Sequence, residues 1–494
     1  MIRIFSTYTW VVQSFIFLLI FMVLLLLYST RKFTYWKRKG VFNPQPIPLL
    51  GNMSDIFLMR KNLVQWICSL YASTDAPFLG FFAFDEPYLM LRCPKLIQRV
   101  LIQDFSYFAD RNMASPSHDE IMKNFTFFQN NPEWKTSRTK LTPAFSSGKI
   151  KRMFHLVNNV GEDMAHYLQT KLGNIDAKEV AVEYSVSVIA KCVFGINASC
   201  FESKNSQFHR YASSLFDFTW RNTIAYILYC FKPRWVDTFR VNFFKQDSTK
   251  YFLNVFSETL QMRKMSTVRT GDFVDILRDL NESENKVVCG HAMMFFAAGF
   301  ETTSNTISYT LHELCLNKCI QYKLRKEIVD NIEKYGGITY EGVQEMKYLK
   351  MCINETLRKY PVLPFLERIC TKDYKVPGTD LVIDKGIPVY IPYPALHLDE
   401  RYFPEPQKYI PERFLNKNFN MSGLFYMPFG EGPRNCLGER FGILSTQLAL
   451  INIISRFEIE KCAVTPDPVE FSVKSFSNQS IVGLPMIVKP YEGY

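Results

Sequence analysis

Apolar residues fill the chain from Val11 to Tyr28 with only Gln13, Ser14 and Tyr28 itself interrupting, and these 18 positions, as a helix, would rise about 27 Å, close to the hydrocarbon thickness of a bilayer. Beyond this run the pattern turns to mixed segments of helical period. From about Asn285 to Leu316 the chain reads as one long helix in which Phe295, Ala298, Gly299 and Thr302 fall on one face. From Gly438 to Ile454 apolar residues again recur at helical spacing, directly after Phe429-Gly430-Glu431-Gly432-Pro433-Arg434-Asn435-Cys436-Leu437-Gly438, where two glycines and a proline disfavour regular structure and permit positive φ. Trp134 and Arg138 stand four apart and Glu355 and Arg358 three apart, so each pair shares a helix face. Pro44, Pro46 and Pro48, followed by Gly51, stop any helix from running on and predict a stiff spacer. The expected organisation is an anchor over 1–30, a basic, proline-rich hinge over 31–52 and one globule over 53–494.

Composition agrees with a packed globule: hydrophobic residues make up 47% of the 494 positions and aromatics 15%, with no repeat or Gly/Ser linker to divide the core. The 12 cysteines form no C-x-x-C pair, so reduced thiols in the cytosol fit better than a disulfide framework or a zinc ribbon. Cys315 and Cys319 lie one helical turn apart and read as core packing.

The net charge of +11 is unevenly spread. Arg31, Lys32, Lys37, Arg38 and Lys39 follow the apolar run against a lone Arg3 before it, so the positive-inside rule leaves the bulk of the chain in the cytosol behind an uncleaved membrane anchor. Trp10, Tyr35 and Trp36 suit the two interfaces. With this topology the sequons Asn124-Phe-Thr and Asn354-Glu-Thr stay unmodified. No nucleic-acid motif accompanies the charge, which points instead to acidic protein partners or anionic lipid.

Cys436 carries the candidate chemistry. Its sulfur stands where a turn enters a helix, and there the free N–H groups of Leu437 and Gly438 and the helix dipole favour thiolate. Zinc needs about four ligands, yet within thirty residues the only other cysteine is Cys462 and there is no histidine. A catalytic nucleophile stays open, although no base is evident nearby. Haem iron needs a single protein thiolate, and Arg434 two residues away could pair with a propionate.

The pattern Phe429-x-x-Gly432-x-x-x-Cys436-x-Gly438 closely resembles the haem-binding signature of the cytochrome P450 family. The likeness extends along the chain. Trp134-x-x-x-Arg138 resembles the family's propionate-binding helix. Ala298-Gly299-Phe300-Glu301-Thr302-Thr303 resembles its oxygen-activation motif, and Glu355-x-x-Arg358 with Pro411-Glu412-Arg413-Phe414 resembles its interlocked triad. Arg111 and Arg368 match further propionate arginines. The proline hinge departs from the commonest Pro-Pro-Gly-Pro form.

The resemblance implies a mainly α fold with small β-sheets, holding haem through Cys436 as axial thiolate. Phe429, Arg434, Gly438, Trp134, Arg138, Arg111, Arg368 and Ala298 would surround the cofactor, with Thr302 as the hydroxyl near dioxygen and Glu301 in proton delivery. It implies a monooxygenase that inserts one atom of O2 into a small lipophilic substrate, in the manner of insect detoxification and vertebrate drug-metabolising enzymes. Electrons would come from a membrane-bound NADPH–cytochrome P450 reductase, with cytochrome b5 as a further partner, at the cytosolic face of the endoplasmic reticulum. Lys135, Lys140, Lys149 and Lys151 are candidates for the docking surface, and Met113 to Phe128, Phe201 to Phe231, Phe295, Val362, Leu363, Phe365 and Phe476 for substrate contacts. Three rivals remain: a haem-thiolate isomerase or dehydratase, a membrane-anchored lipophile-binding module, and a cysteine hydrolase using His397.

Overall fold

A computed structural model describes residues 2–198, 200–201, 206–215, 219–267, 269–279, 285–415 and 425–491. Part of the expected substrate-contact stretch from Phe201 to Phe231 therefore lies outside the described residues. The architecture is mainly helical, as expected. Its axis is the helix Asn285–Leu316, which packs against Ala177–Ile189, Gln246–Met265, Lys347–Lys359 and Glu439–Ile454. Enclosed on so many sides, the helix is open at Ala298 but buries polar residues along the turns that follow, among them Ser304, Asn305, Thr306, Ser308 and Thr310. Their hydroxyls turn back onto the helix: Thr306 donates to the Thr302 carbonyl at 2.9 Å and Thr310 to that of Thr306 at 2.7 Å.

One expectation about this helix changes. The single face read for Phe295, Ala298, Gly299 and Thr302 does not hold at Gly299, where a Cβ would stand 2.7 Å from Ile189 Cδ1. The smallness of Gly299 admits the neighbouring helix Ala177–Ile189. Phe295 is likewise buried, packing edge-on to Phe145 at 5.0 Å and against Phe273 at 5.3 Å, rather than free to meet a substrate.

A four-stranded sheet lies to one side, in the order Phe78–Ala83, Glu86–Leu91, Pro388–Ile391, Leu366–Ile369. Its first two strands form a hairpin, and Leu366–Ile369 runs antiparallel to Pro388–Ile391, setting Glu367 opposite Tyr390 and Arg368 opposite Val389. A three-stranded sheet joins Gly173–Asp176, Pro485–Pro490 and Phe457–Glu460.

The N-terminal helix Ile2–Thr30 contains the apolar run, and among the described residues it alone has the length and apolarity to cross a membrane. The hinge that follows does not span open space. Trp36 is 0% exposed and lies over Gly80, where any side chain would overlap the indole, and its Nε1–H donates to the Phe81 carbonyl at 3.3 Å. Tyr35 and Lys39 both hold Asp384, each at 2.6 Å, and Arg31 pairs with Asp85 at 2.9 Å. Trp36, expected at a membrane interface, is instead part of the protein core, because the sheet offers it a slot only glycine leaves open.

Removal of residues 1–30 is accordingly expected to release most of the protein from phospholipid vesicles without lowering its melting temperature, since the sheet contacts begin at Arg31. Trp36→Ala should cost about 3–5 kcal/mol. Flotation with vesicles and thermal melts of both variants check this, and an unaltered melt for Trp36→Ala would refute the packing argument.

Candidate haem site

The loop before Glu439–Ile454 is shaped by its glycines. Gly430 and Gly432 adopt φ of +72° and +73°, and a Cβ on Gly432 would collide with the Leu101 carbonyl oxygen. The loop folds back so that the Cys436 N–H donates to the Phe429 carbonyl at 2.7 Å. Gly438 needs no such licence: its φ is −90°, and it caps the helix N-terminus.

Cys436 is exposed on one side and densely enclosed on the others. That enclosure pushes its thiol up to about 11, and Glu439 adds to the rise, while the N–H groups of Gly438 and Glu439 and the Arg138 guanidinium pull it down. The N–H donors thus sit one residue later than Leu437 and Gly438. Desolvation outweighs them, so these groups alone do not make the thiolate expected from the helix terminus. A metal cation at the sulfur would supply the missing charge.

Three arginines gather beside this loop. Arg434 is 6% exposed, donates from Nε to the Ala109 carbonyl at 2.6 Å and from Nη1 to that of Gln129 at 2.9 Å, and stacks 4.1 Å above the Trp134 ring. Arg368 is 1% exposed and donates to the Glu367 carbonyl at 2.7 Å. Arg111 is 9% exposed, with Nη1 3.4 Å from Glu367 Oε1. Burial and the neighbouring guanidinium groups push Arg434 down to about 8 and Arg368 to about 9. Each keeps one buried nitrogen without a hydrogen-bond partner: Nε of Arg111, Nε of Arg368 and Nη2 of Arg434. Buried cations with unspent donors call for an anion, and a dicarboxylate meets that need. A group that combines a metal centre with two carboxylates, as haem does, therefore fits Cys436 and this cradle together.

Arg138 is placed differently from the other arginines. On the helix Glu133–Leu141 it shares a face with Trp134, yet its Nη1 and Nη2 grip the Asn435 carbonyl and side-chain oxygen at 2.8 and 2.7 Å. It clamps the cysteine loop.

On the central helix, Ala298 is exposed and Thr302 half-buried, and the Thr302 hydroxyl donates to the Ala298 carbonyl at 2.7 Å. Glu301 turns elsewhere. Its carboxylate accepts from Lys178 Nζ at 3.2 Å and from the Gln479 amide, and Lys178 also donates to Ser304 and Asn305. Sequence reasoning missed this partnership because Lys178 and Gln479 lie more than a hundred residues away on either side, with no motif to announce them. It also missed Glu367 and Asn435.

The triad expected behind the site is present. Glu355 takes Arg358 Nε at 2.7 Å and Nη2 at 2.8 Å, Arg413 Nε at 3.2 Å and the Ile410 N–H at 2.9 Å. His397, required by the hydrolase alternative, is fully buried, accepts the Met427 N–H at 3.1 Å and stacks on Tyr426. Burial and Arg358 hold it down to about 3, so it is a feeble base at neutral pH. Among the described residues no group of three or more His, Cys, Asp or Glu side chains converges as a metal site, and the described cysteines are all free. Of the basic candidates, Lys135, Lys140 and Lys151 are exposed, Lys151 in contact with Glu341, and Lys149 is half-buried.

A mainly helical globule that presents one cysteine at a helix entrance beside buried, anion-seeking arginines is the framework of a haem-thiolate enzyme. The cytochrome P450 family model matches residues 42–481, and the chain belongs to that family, whose members are monooxygenases. It is 36% identical over 490 residues to a protein named cytochrome P450 6k1 of Blattella germanica, covering 93% of this chain and 94% of that one. It is 33% identical over 485 residues to a probable cytochrome P450 6g2 of Drosophila melanogaster, covering 92% and 93%.

Proposed function

We propose that the chain is a membrane-anchored monooxygenase of small apolar substrates, supplied with electrons from NADPH by a flavoprotein reductase and working at the cytosolic face of the endoplasmic reticulum. The observation that carries the proposal is the pairing of Cys436 with three buried arginines whose unspent N–H donors suit two carboxylates. Cys436 would be the axial ligand, and Arg111, Arg368 and Arg434, with Trp134 beneath Arg434, would hold the propionates. Bound haem would supply the reductive activation of dioxygen and the insertion of one oxygen atom into a C–H bond.

The chain's own residues govern where protons and substrate go. Thr302, one turn after Ala298, presents a hydroxyl that can pass a proton if it exchanges its bond to the Ala298 carbonyl for one to a bound molecule. Glu301 would feed that relay only after loosening from Lys178. Phe476, half-buried with its ring centroid 5.4 Å from that of Tyr226, favours a flat or apolar substrate over a charged one. Exposed Lys135 and Lys140 are suited to an acidic reductase surface. The Soret band of the reduced, CO-bound protein tests the cofactor, and an NADPH-dependent product in the presence of reductase tests the reaction.

Thr302→Ala is expected to bind haem and accept electrons normally while diverting NADPH consumption from product into hydrogen peroxide by about a hundredfold, the lower end of the range for general acid–base groups. Thr303 is the control: it lies about 100° further round the helix and is buried, so Thr303→Ala should change coupling little. NADPH, peroxide and product measured together decide between them, and equal coupling in the two variants would remove Thr302 from proton delivery.

A further inference from the structure

We propose that Glu367 is a positioning residue of the haem cradle, holding Arg111 in place and setting the fixed charge of the cradle to match a dianion. The assignment rests on the haem reading above and goes beyond it to a residue that would not touch the cofactor.

Glu367 is 1% exposed, on the strand Leu366–Ile369. A carboxylate this deep is costly unless its oxygens are used, and both are. Oε1 lies 3.4 Å from Arg111 Nη1 and Oε2 accepts the Asn112 N–H at 2.6 Å, so the side chain fixes both the guanidinium and the backbone beside it. Asn112 in turn donates to the Cys230 carbonyl at 3.1 Å, tying this segment to the helix Trp220–Phe231. The Glu367 carbonyl accepts from Arg368. One residue thus supports two of the three cradle arginines, one through its side chain and one through its backbone.

The charges give this a consequence. Arg111, Arg368 and Arg434 are all at least nine-tenths buried, and so is Glu367. Arg138 and Asp110 lie outside this buried set and offset each other in sign: Arg138 is half-buried, and Asp110, 3.8 Å from Arg434, keeps 22% of its side chain accessible. Three buried positive charges against one negative leave two, the number a group with two carboxylates neutralises. Without Glu367 one positive charge is left over near the metal. Excess positive charge in a poorly screened interior favours the state holding one more electron, so the reduced form gains.

The test uses the full-length holoprotein. The ferric–ferrous midpoint is measured by spectroelectrochemistry and haem retention by transfer to apomyoglobin, for wild type, Glu367→Gln, Arg111→Met and the pair together. Glu367→Gln should shift the equilibrium at least threefold toward ferrous and Arg111→Met at least threefold toward ferric, where a tenfold shift corresponds to about 59 mV for one electron. The pair, which removes both charges, should return within twofold of wild type and retain haem better than either single variant. A purely structural Glu367 would weaken haem retention without opposite potential shifts, and that result overturns the proposal. If Glu367→Gln yields no holoprotein, the pair decides: recovery of holoprotein supports the proposal and continued failure overturns it. Absence of a red-shifted Soret band from wild type would overturn the haem reading itself and this assignment with it. A haem-loaded wild type whose variants share its potential overturns this assignment alone.

Discussion

Cys436→Ser is expected to abolish the red-shifted Soret band of the reduced CO complex completely. Serine has nearly the same shape, and the hydrogen bonds that set the loop are made by backbone: the N–H at 436 to the Phe429 carbonyl, and Arg138 to the Asn435 oxygens. The fold should therefore survive, and the arginines should still attract the carboxylates of haem. Serine fails in electronic character. Its alkoxide is far harder to form than a thiolate, and it lacks the polarisable sulfur that donates strongly to iron. The measurement is the difference spectrum beside total haem content and a melting curve. A red-shifted band in the variant would give the ligand role to one of the other eleven cysteines and undo the central assignment.

Breaking the triad should have the second large effect, on folding rather than chemistry. Glu355 and Arg358 are 0% exposed and the Arg413 side chain 9%, so solvent cannot compensate a missing partner. Arg358→Ala strips Glu355 of two charge-assisted bonds and removes the donors that Arg358 gives to the His397 and Lys408 carbonyls. Loss of about 5 kcal/mol is expected, of the order of a domain's whole stability, so no folded holoprotein should accumulate. Arg413→Ala leaves Glu355 its pairing with Arg358 and the Ile410 N–H and should cost about 3 kcal/mol. Denaturant melts and haem content of the two variants check both size and order. Normal stability in Arg413→Ala would show that the second arginine adds nothing to the pair.

The acid beside Thr302 bears on how the site works. Glu301 is engaged by Lys178 and Gln479, so the carboxylate placed next to a hydroxyl in sequence does not meet it in the fold. Adjacent helical residues point about 100° apart, and burial obliges a carboxylate to take the nearest donors.

What the sequence by itself determined were features fixed by local rules or by long, spaced motifs. The apolar run predicts the helix Ile2–Thr30, helical period predicts Asn285–Leu316 and the helix after Cys436, and two glycines predict the positive φ of the cysteine loop. The triad was legible as three motif residues, and their convergence on one carboxylate follows the family resemblance. Only the tertiary structure decided which neighbour each polar group faces. Trp36 looked like an interfacial residue until the sheet showed a slot over Gly80, and Gly299 like a neighbour of Ala298 on one face until it proved to pack against Ile189. The balance at Cys436 also belongs to the fold, since desolvation depends on everything packed around the sulfur and outweighs the local helix terminus. Glu367 stands next to Arg368 in sequence, where such a pair reads as ordinary surface charge. Burial alone turns it into the counter-charge of Arg111, because the strength of an ion pair is set by the medium that the rest of the chain provides.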